Sequence, residues 1–151
     1  MLGPALVMAL ALAAATPSRA GDLPAPVEAA IREQRQACAP EKAEIRPGFI
    51  ARKDVNGDGI EDVILDYGAF ACGGDATYFC GSAGCTMQVF ASTKGGYAKV
   101  LDENVRRLDF KHVKGRPAML LGLHGNACGK AGIEPCGTTL YWTGTRFDPS
   151  R

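Results

Sequence analysis

An excess of charge of either sign is missing from this chain: its 151 residues hold 17 Lys and Arg against 16 Asp and Glu, a formal net charge of +1. Such a balance exerts no long-range pull on a polyanion. The basic residues are scattered, and Arg106-Arg107 reads as a solvated strand end. Nucleic acid and anionic membrane surfaces are therefore not expected partners. Long apolar runs are also missing after the first twenty residues, and a membrane-spanning helix needs about 20 of them. No membrane span is expected in the rest of the chain. Internal repetition is absent too. The acidic stretch Asp54–Asp62 occurs once, so a repeat array is excluded.

The first twenty residues read as a secretory signal. Leu6–Ala15 is an apolar core too short to cross a bilayer, and Ser18-Arg19-Ala20 presents small residues where a signal peptidase cuts. Its n-region carries no Lys or Arg. Cleavage would remove Arg19 and leave 16 basic against 16 acidic residues. The expectation is a signal peptide over 1–20 and one β-rich domain over 21–151, in a periplasmic or secreted protein.

The stretch with the most specific chemistry is Asp54-Val55-Asn56-Gly57-Asp58-Gly59-Ile60-Glu61-Asp62. Calcium takes about six to eight oxygen ligands from carboxylates, amides and backbone carbonyls. Asp54, Asn56 and Asp58 offer such oxygens at alternate residues, and Gly57 and Gly59 free the backbone to curl. The carbonyl of Ile60 and the carboxylate of Asp62 would close the cage, with Glu61 in solvent. The opening matches the EF-hand pattern D-x-[DN]-x-[DN]-G, but Leu65 stands where that pattern needs Glu. The flanks Phe49-Ile50-Ala51 and Val63-Ile64-Leu65 suit strands better than helices. An Asx-rich turn without metal is the plainer alternative, since Asn, Asp and Gly are ordinary turn residues.

With its last acid at position nine, the loop resembles the calcium loop of FG-GAP/VCBS-type repeats, found in integrin α-chain propellers and many exported bacterial proteins. The resemblance covers residues 49–68. It implies a loop joining two strands of a β-blade, with Asp54, Asn56, Asp58, Ile60 (through its carbonyl) and Asp62 as Ca2+ ligands. It also implies an exported bacterial protein.

Pro26 is suited to open a helix, and Val27, Ala30, Ile31, Gln34 and Cys38 fall on one helical face before Pro40 ends it. A helix over about 26–38 follows, with Cys38 facing a sheet. Strands are expected near 49–51, 62–66, 85–92, 97–102, 105–113, 118–123 and 138–143. Ala118–Leu123 has no polar face and is placed centrally. The fold class is mainly β (α+β): an antiparallel meander of about six strands with one N-terminal helix, stapled by disulfides. Residues 68–84 and 125–137 read as Gly- and Cys-rich excursions.

Six cysteines, an even number in an exported chain, argue for disulfides. Cys80 and Cys85 enclose one short loop and Cys128 and Cys136 another, which leaves Cys38 and Cys72 to tie helix to sheet. Other pairings are open on spacing alone. Zinc held by these cysteines and His124 is disfavoured by the spacing and the oxidising compartment. The expected function is that of a non-enzymatic, calcium-binding structural or interaction module, whose partner is an unidentified protein or cell-surface ligand. The rival is a small thiol-dependent hydrolase using Cys80 as nucleophile and His124, or His112, as base. Cys80-Gly81-Ser82-Ala83-Gly84 matches neither G-x-S-x-G nor C-G-S-C-W.

Overall fold

The computed structural model describes residues 22–149. The expected signal segment, 1–20, lies outside them. The described chain forms α1 (Ala25–Ala37), β1 (Ala43–Ile45), β2 (Ile50–Lys53), β3 (Asp62–Asp66), β4 (Phe70–Cys72), β5 (Cys80–Gly81), β6 (Gly84–Thr93), β7 (Gly96–Val105), β8 (Arg107–Val113), β9 (Arg116–Leu123), β10 (Cys136–Trp142) and β11 (Phe147–Pro149). Short 3-10 turns occupy Tyr67–Ala69 and Gly125–Cys128. None of the described helices is long and apolar enough to cross a membrane.

Proline in its first turn opens α1, and the helix buries Val27, Ala30 and Ile31, the stripe its spacing predicts. Cys38 follows as the buried C-cap and is disulfide-bonded to Cys72 at the end of β4. The helix is thereby fastened to the two-stranded sheet β1–β4. The main sheet has β2, β3, β6 and β7 side by side, and β5 extends it beside the start of β6. A second sheet runs in the order β11-β10-β9-β8. All ladders between the strands are antiparallel.

Strand β3 explains the layering. Four of its five residues are buried, so it has apolar neighbours on both faces. Val63 and Leu65 join α1, Phe49, Tyr67, Phe70 and Phe90 in one core. Ile64 faces the other way, with Val89, Leu101, Met119, Leu121 and Phe147. The main sheet is thus sandwiched between the helix layer and the second sheet. The helix-side core is largely aromatic: Tyr67, Phe70 and Phe79 stack mutually with ring centroids 5.1–5.5 Å apart.

The mainly β class with a single helix is as expected, but there are more strands than the period-2 patterns suggest. The additional β1, β4, β5 and β11 are only two or three residues long. Such lengths carry no readable alternation. The meander is also folded over. Between β7 and β8 the chain passes from one sheet to the other at Arg106, whose amide donates to the Gly122 carbonyl at 2.8 Å. Glycine is needed opposite this crossing: Gly84 has φ +100°, and a Cβ there would lie 2.0 Å from the Val105 oxygen. Ala118–Leu123 does lie inside a sheet, as β9 between β8 and β10, yet the strand buried on both faces is β3. Residues 68–84 are less of an excursion than expected, because Phe70 and Phe79 reach back into the helix-side core.

Candidate functional site

The acidic turn connects β2 to β3, as its apolar flanks predict. Gly57 and Gly59 both have positive φ, +80° and +83°, so the curl depends on residues that adopt the left-handed region freely. The turn is built by its own side chains. Asp54 accepts from the amides of Gly57 at 2.7 Å and Gly59 at 2.9 Å, one to each oxygen. Asn56 Oδ1 accepts from Asp58 N, and Asp58 Oδ1 from Ile60 N. These are Asx turns, which hold the acids in place without a cationic partner.

On the inner side the turn meets Ser92, near the end of β6. Asp62 is fully buried; its Oδ2 accepts from Val55 N at 2.7 Å, while its Oδ1 accepts from Ser92 N at 2.7 Å and Ser92 Oγ at 2.9 Å. The same Ser92 hydroxyl lies 2.7 Å from Asp58 Oδ2, and Asn56 Nδ2 donates to the Ser92 carbonyl at 2.8 Å. Ser92 holds the Asp58 carboxyl below its usual range; burial opposes this, and the Ile60 amide and Asn56 add to it. The ion pairs among the described residues are Lys99–Asp102, Arg107–Asp109 and Arg146–Asp148, none of which touches this turn.

Of the five candidate ligands, Asn56, Asp58 and Asp62 are linked through Ser92. Asp54 sits on the exposed side with its own two amides, and Ile60 is half-exposed. Among the described residues, no three side chains of the His, Cys, Asp and Glu kind gather as a metal-holding group. Ser92 carried no signal in the sequence. It lies 30 residues beyond Asp62 and meets it only because β3 pairs with β6.

The other cysteines close short loops. Disulfides join Cys80 to Cys85 and Cys128 to Cys136, the pairs their enclosed loops suggest. No cysteine is free, so neither a Cys80 thiolate nor a zinc thiolate set exists in this structure. The ring of His124 is used locally: Nδ1 accepts from Asn126 N at 3.3 Å, capping the 3-10 turn. His112 is exposed on β8, an edge strand. A cleft of about 640 Å³ runs along Lys99–Asn104 of β7, with Leu121, Leu123 and Leu140 in it, Ala83 of the Cys80–Cys85 loop at one side and His124 and Ala127 at the other.

Comparison with protein-family models, with curated proteins and with solved structures finds no match to this chain. Fold and site define a class on their own terms: a mainly β domain with one helix, three disulfides and an acidic hairpin turn anchored on a buried carboxylate.

Proposed function

We propose that this is an exported, periplasmic or secreted, non-enzymatic module that binds calcium in the Asp54–Asp62 turn and presents its stapled loops to a protein or cell-surface ligand. The observation that carries the calcium reading is the charge of the turn. Asp54, Asp58 and the fully buried Asp62 lie within nine residues, and no ion pair among the described residues compensates them. Buried charges are paired or coordinate metals.

The donor set suits a hard cation, being all oxygen: Asp54, Asn56, Asp58, Asp62 and the Ile60 carbonyl. Each carboxylate oxygen that already accepts one amide keeps further acceptor capacity. When bound, the ion would neutralise the turn and brace β2 against β3, while Ser92 holds Asp58 and Asp62 in register. The FG-GAP-like spacing supports the same set. Three disulfides favour an oxidising compartment, and the absence of a free thiol speaks against the hydrolase that would use Cys80 and His124. The cleft along β7, which the Cys80–Cys85 loop reaches through Ala83, supports a recognition role, since rigid loops on a sheet scaffold are where binding residues concentrate.

Calorimetric titration tests the proposal. Calcium should bind with a dissociation constant of roughly 10⁻⁴–10⁻³ M, as in extracellular modules. Asp58→Ala should raise it by about tenfold or more, in keeping with the loss of a charged ligand. Absence of calcium binding up to about ten millimolar, well above that range, would remove the calcium reading.

A further inference from the structure

We propose that two copies of this chain pair through the free edge of β7, extending the main sheet across a two-fold axis. Strand β7 is ten residues long and pairs only with β6. None of the other backbone hydrogen bonds among the described residues involves Gly96–Val105. Its outer row of amides and carbonyls is therefore a template for another strand.

The charges of this edge select the partner. The β6–β7 register shifts between Val89 and Phe90, so Lys99 lies opposite Phe90, Asp102 lies opposite Gln88, and Val100 has no direct partner. Phe90 and Gln88 are two apart on β6 and share a face, so Lys99 and Asp102 share one as well. They form an ion pair within the chain. Edge charges normally protect a strand by repelling its like. Here the sign changes along the strand: Lys99 precedes Val100-Leu101, and Asp102-Glu103 follow. A two-fold axis between Val100 and Leu101 brings two such strands together antiparallel. Each Lys99 then lies opposite the other copy's Asp102 on the same face, while Val100 and Leu101 keep their side chains toward the core between the two sheets and contribute their backbone to the axis. An isologous contact requires this kind of self-complementarity. The cleft floored by Leu121, Leu123 and Leu140 opens alongside β7, so the second copy would also cover apolar surface.

Sedimentation across a concentration series tests the proposal, with the wild type expected to reach twice the monomer mass. Lys99→Asp keeps the contact of Asp102 with Gln88 but sets like charges opposite one another at both symmetric positions. It should weaken the dimer by about tenfold or more. Val100→Asp, with two carboxylates at the axis, should be monomeric. Lys99 is exposed, whereas Val100 packs at the margin of the core between the two sheets, so the Lys99→Asp result carries the test and unchanged circular dichroism is required of both variants. A wild type that stays monomeric at every concentration overturns the proposal. So does a dimer that neither substitution weakens, which would place the contact elsewhere or leave an extended peptide as the occupant of the edge. Calcium titration is unaffected by either substitution, so this test fails or succeeds independently of the ion.

Discussion

Asp62→Ala should destabilise the protein by about 3–5 kcal/mol, the largest loss expected from any single residue of the turn. The carboxylate is fully buried, accepts from Val55 N and Ser92 N, and shares the single Ser92 hydroxyl with Asp58. Removing it orphans the two buried amides of Val55 and Ser92, while the Ser92 hydroxyl keeps Asp58 Oδ2 at 2.7 Å, and a buried donor left unmade costs about 1–3 kcal/mol before relaxation or water entry. Asn would keep one acceptor oxygen but turn an NH2 group toward the remaining donors, so Asp62→Asn should lose less than Ala and still be clearly destabilised. The comparison with Asp58→Ala separates two roles. Asp58 is at the turn's surface, and on the proposed calcium reading its loss should show only when calcium is present, whereas the Asp62 loss should persist in full with chelator present. Urea unfolding in chelator measures it, and a change below about 1 kcal/mol would mean that the Ser92–Asp62 bonds do not hold the hairpin.

The second large effect belongs to the bridge between α1 and β4. Replacing Cys38 and Cys72 together by alanine should cost about 4 kcal/mol, from the entropy of a loop closed over a sequence separation of 34. Cys80–Cys85 and Cys128–Cys136 close separations of only 5 and 8, for which the same relation gives about 2–3 kcal/mol. The ranking follows from loop length, and burial reinforces it, since Cys38 and Cys72 are 3% and 5% exposed within the helix-side core. Alanine rather than serine avoids burying a hydroxyl there. In a domain of this size the midpoint should fall by about 10–15 °C. If all three double variants melted together, the bridge to the helix would have no special role.

Much of this arrangement could be read from local pattern. The stripe Val27, Ala30, Ile31 and Cys38 marks α1 because a helix returns to the same face every third or fourth residue. The hairpin at Asp54–Asp62 and the bridges over short loops are local in sequence, so spacing alone suggested them. What stayed hidden depends on residues far apart. Ser92 completes the acidic turn from the end of β6, and Gln88 accepts the Tyr67 hydroxyl at 3.0 Å inside the helix-side core. Burial pushes that phenol's pKa up, and Asp102 and Glu33 add to the shift. Strands β1 and β4 pair across an interval that includes the whole acidic turn. The turn over Arg106 that makes two sheets from one meander rests on Gly84 and Gly122, whose need for a bare Cα shows only once the strands are packed. The sequence marked Asp62 as a ligand. Its second task, closing the inner wall of the turn, follows from its place at the first buried position of β3.

The most direct measurement is thermal unfolding of the wild type and Asp58→Ala, each in millimolar calcium and in chelator. With calcium at about ten times its dissociation constant, the wild type should gain about 1.4 kcal/mol and melt several degrees higher than in chelator, while Asp58→Ala, its affinity about tenfold or more weaker, should gain no more than about 0.4 kcal/mol. A wild type that melts at the same temperature with and without calcium would contradict the claim that this turn holds an ion.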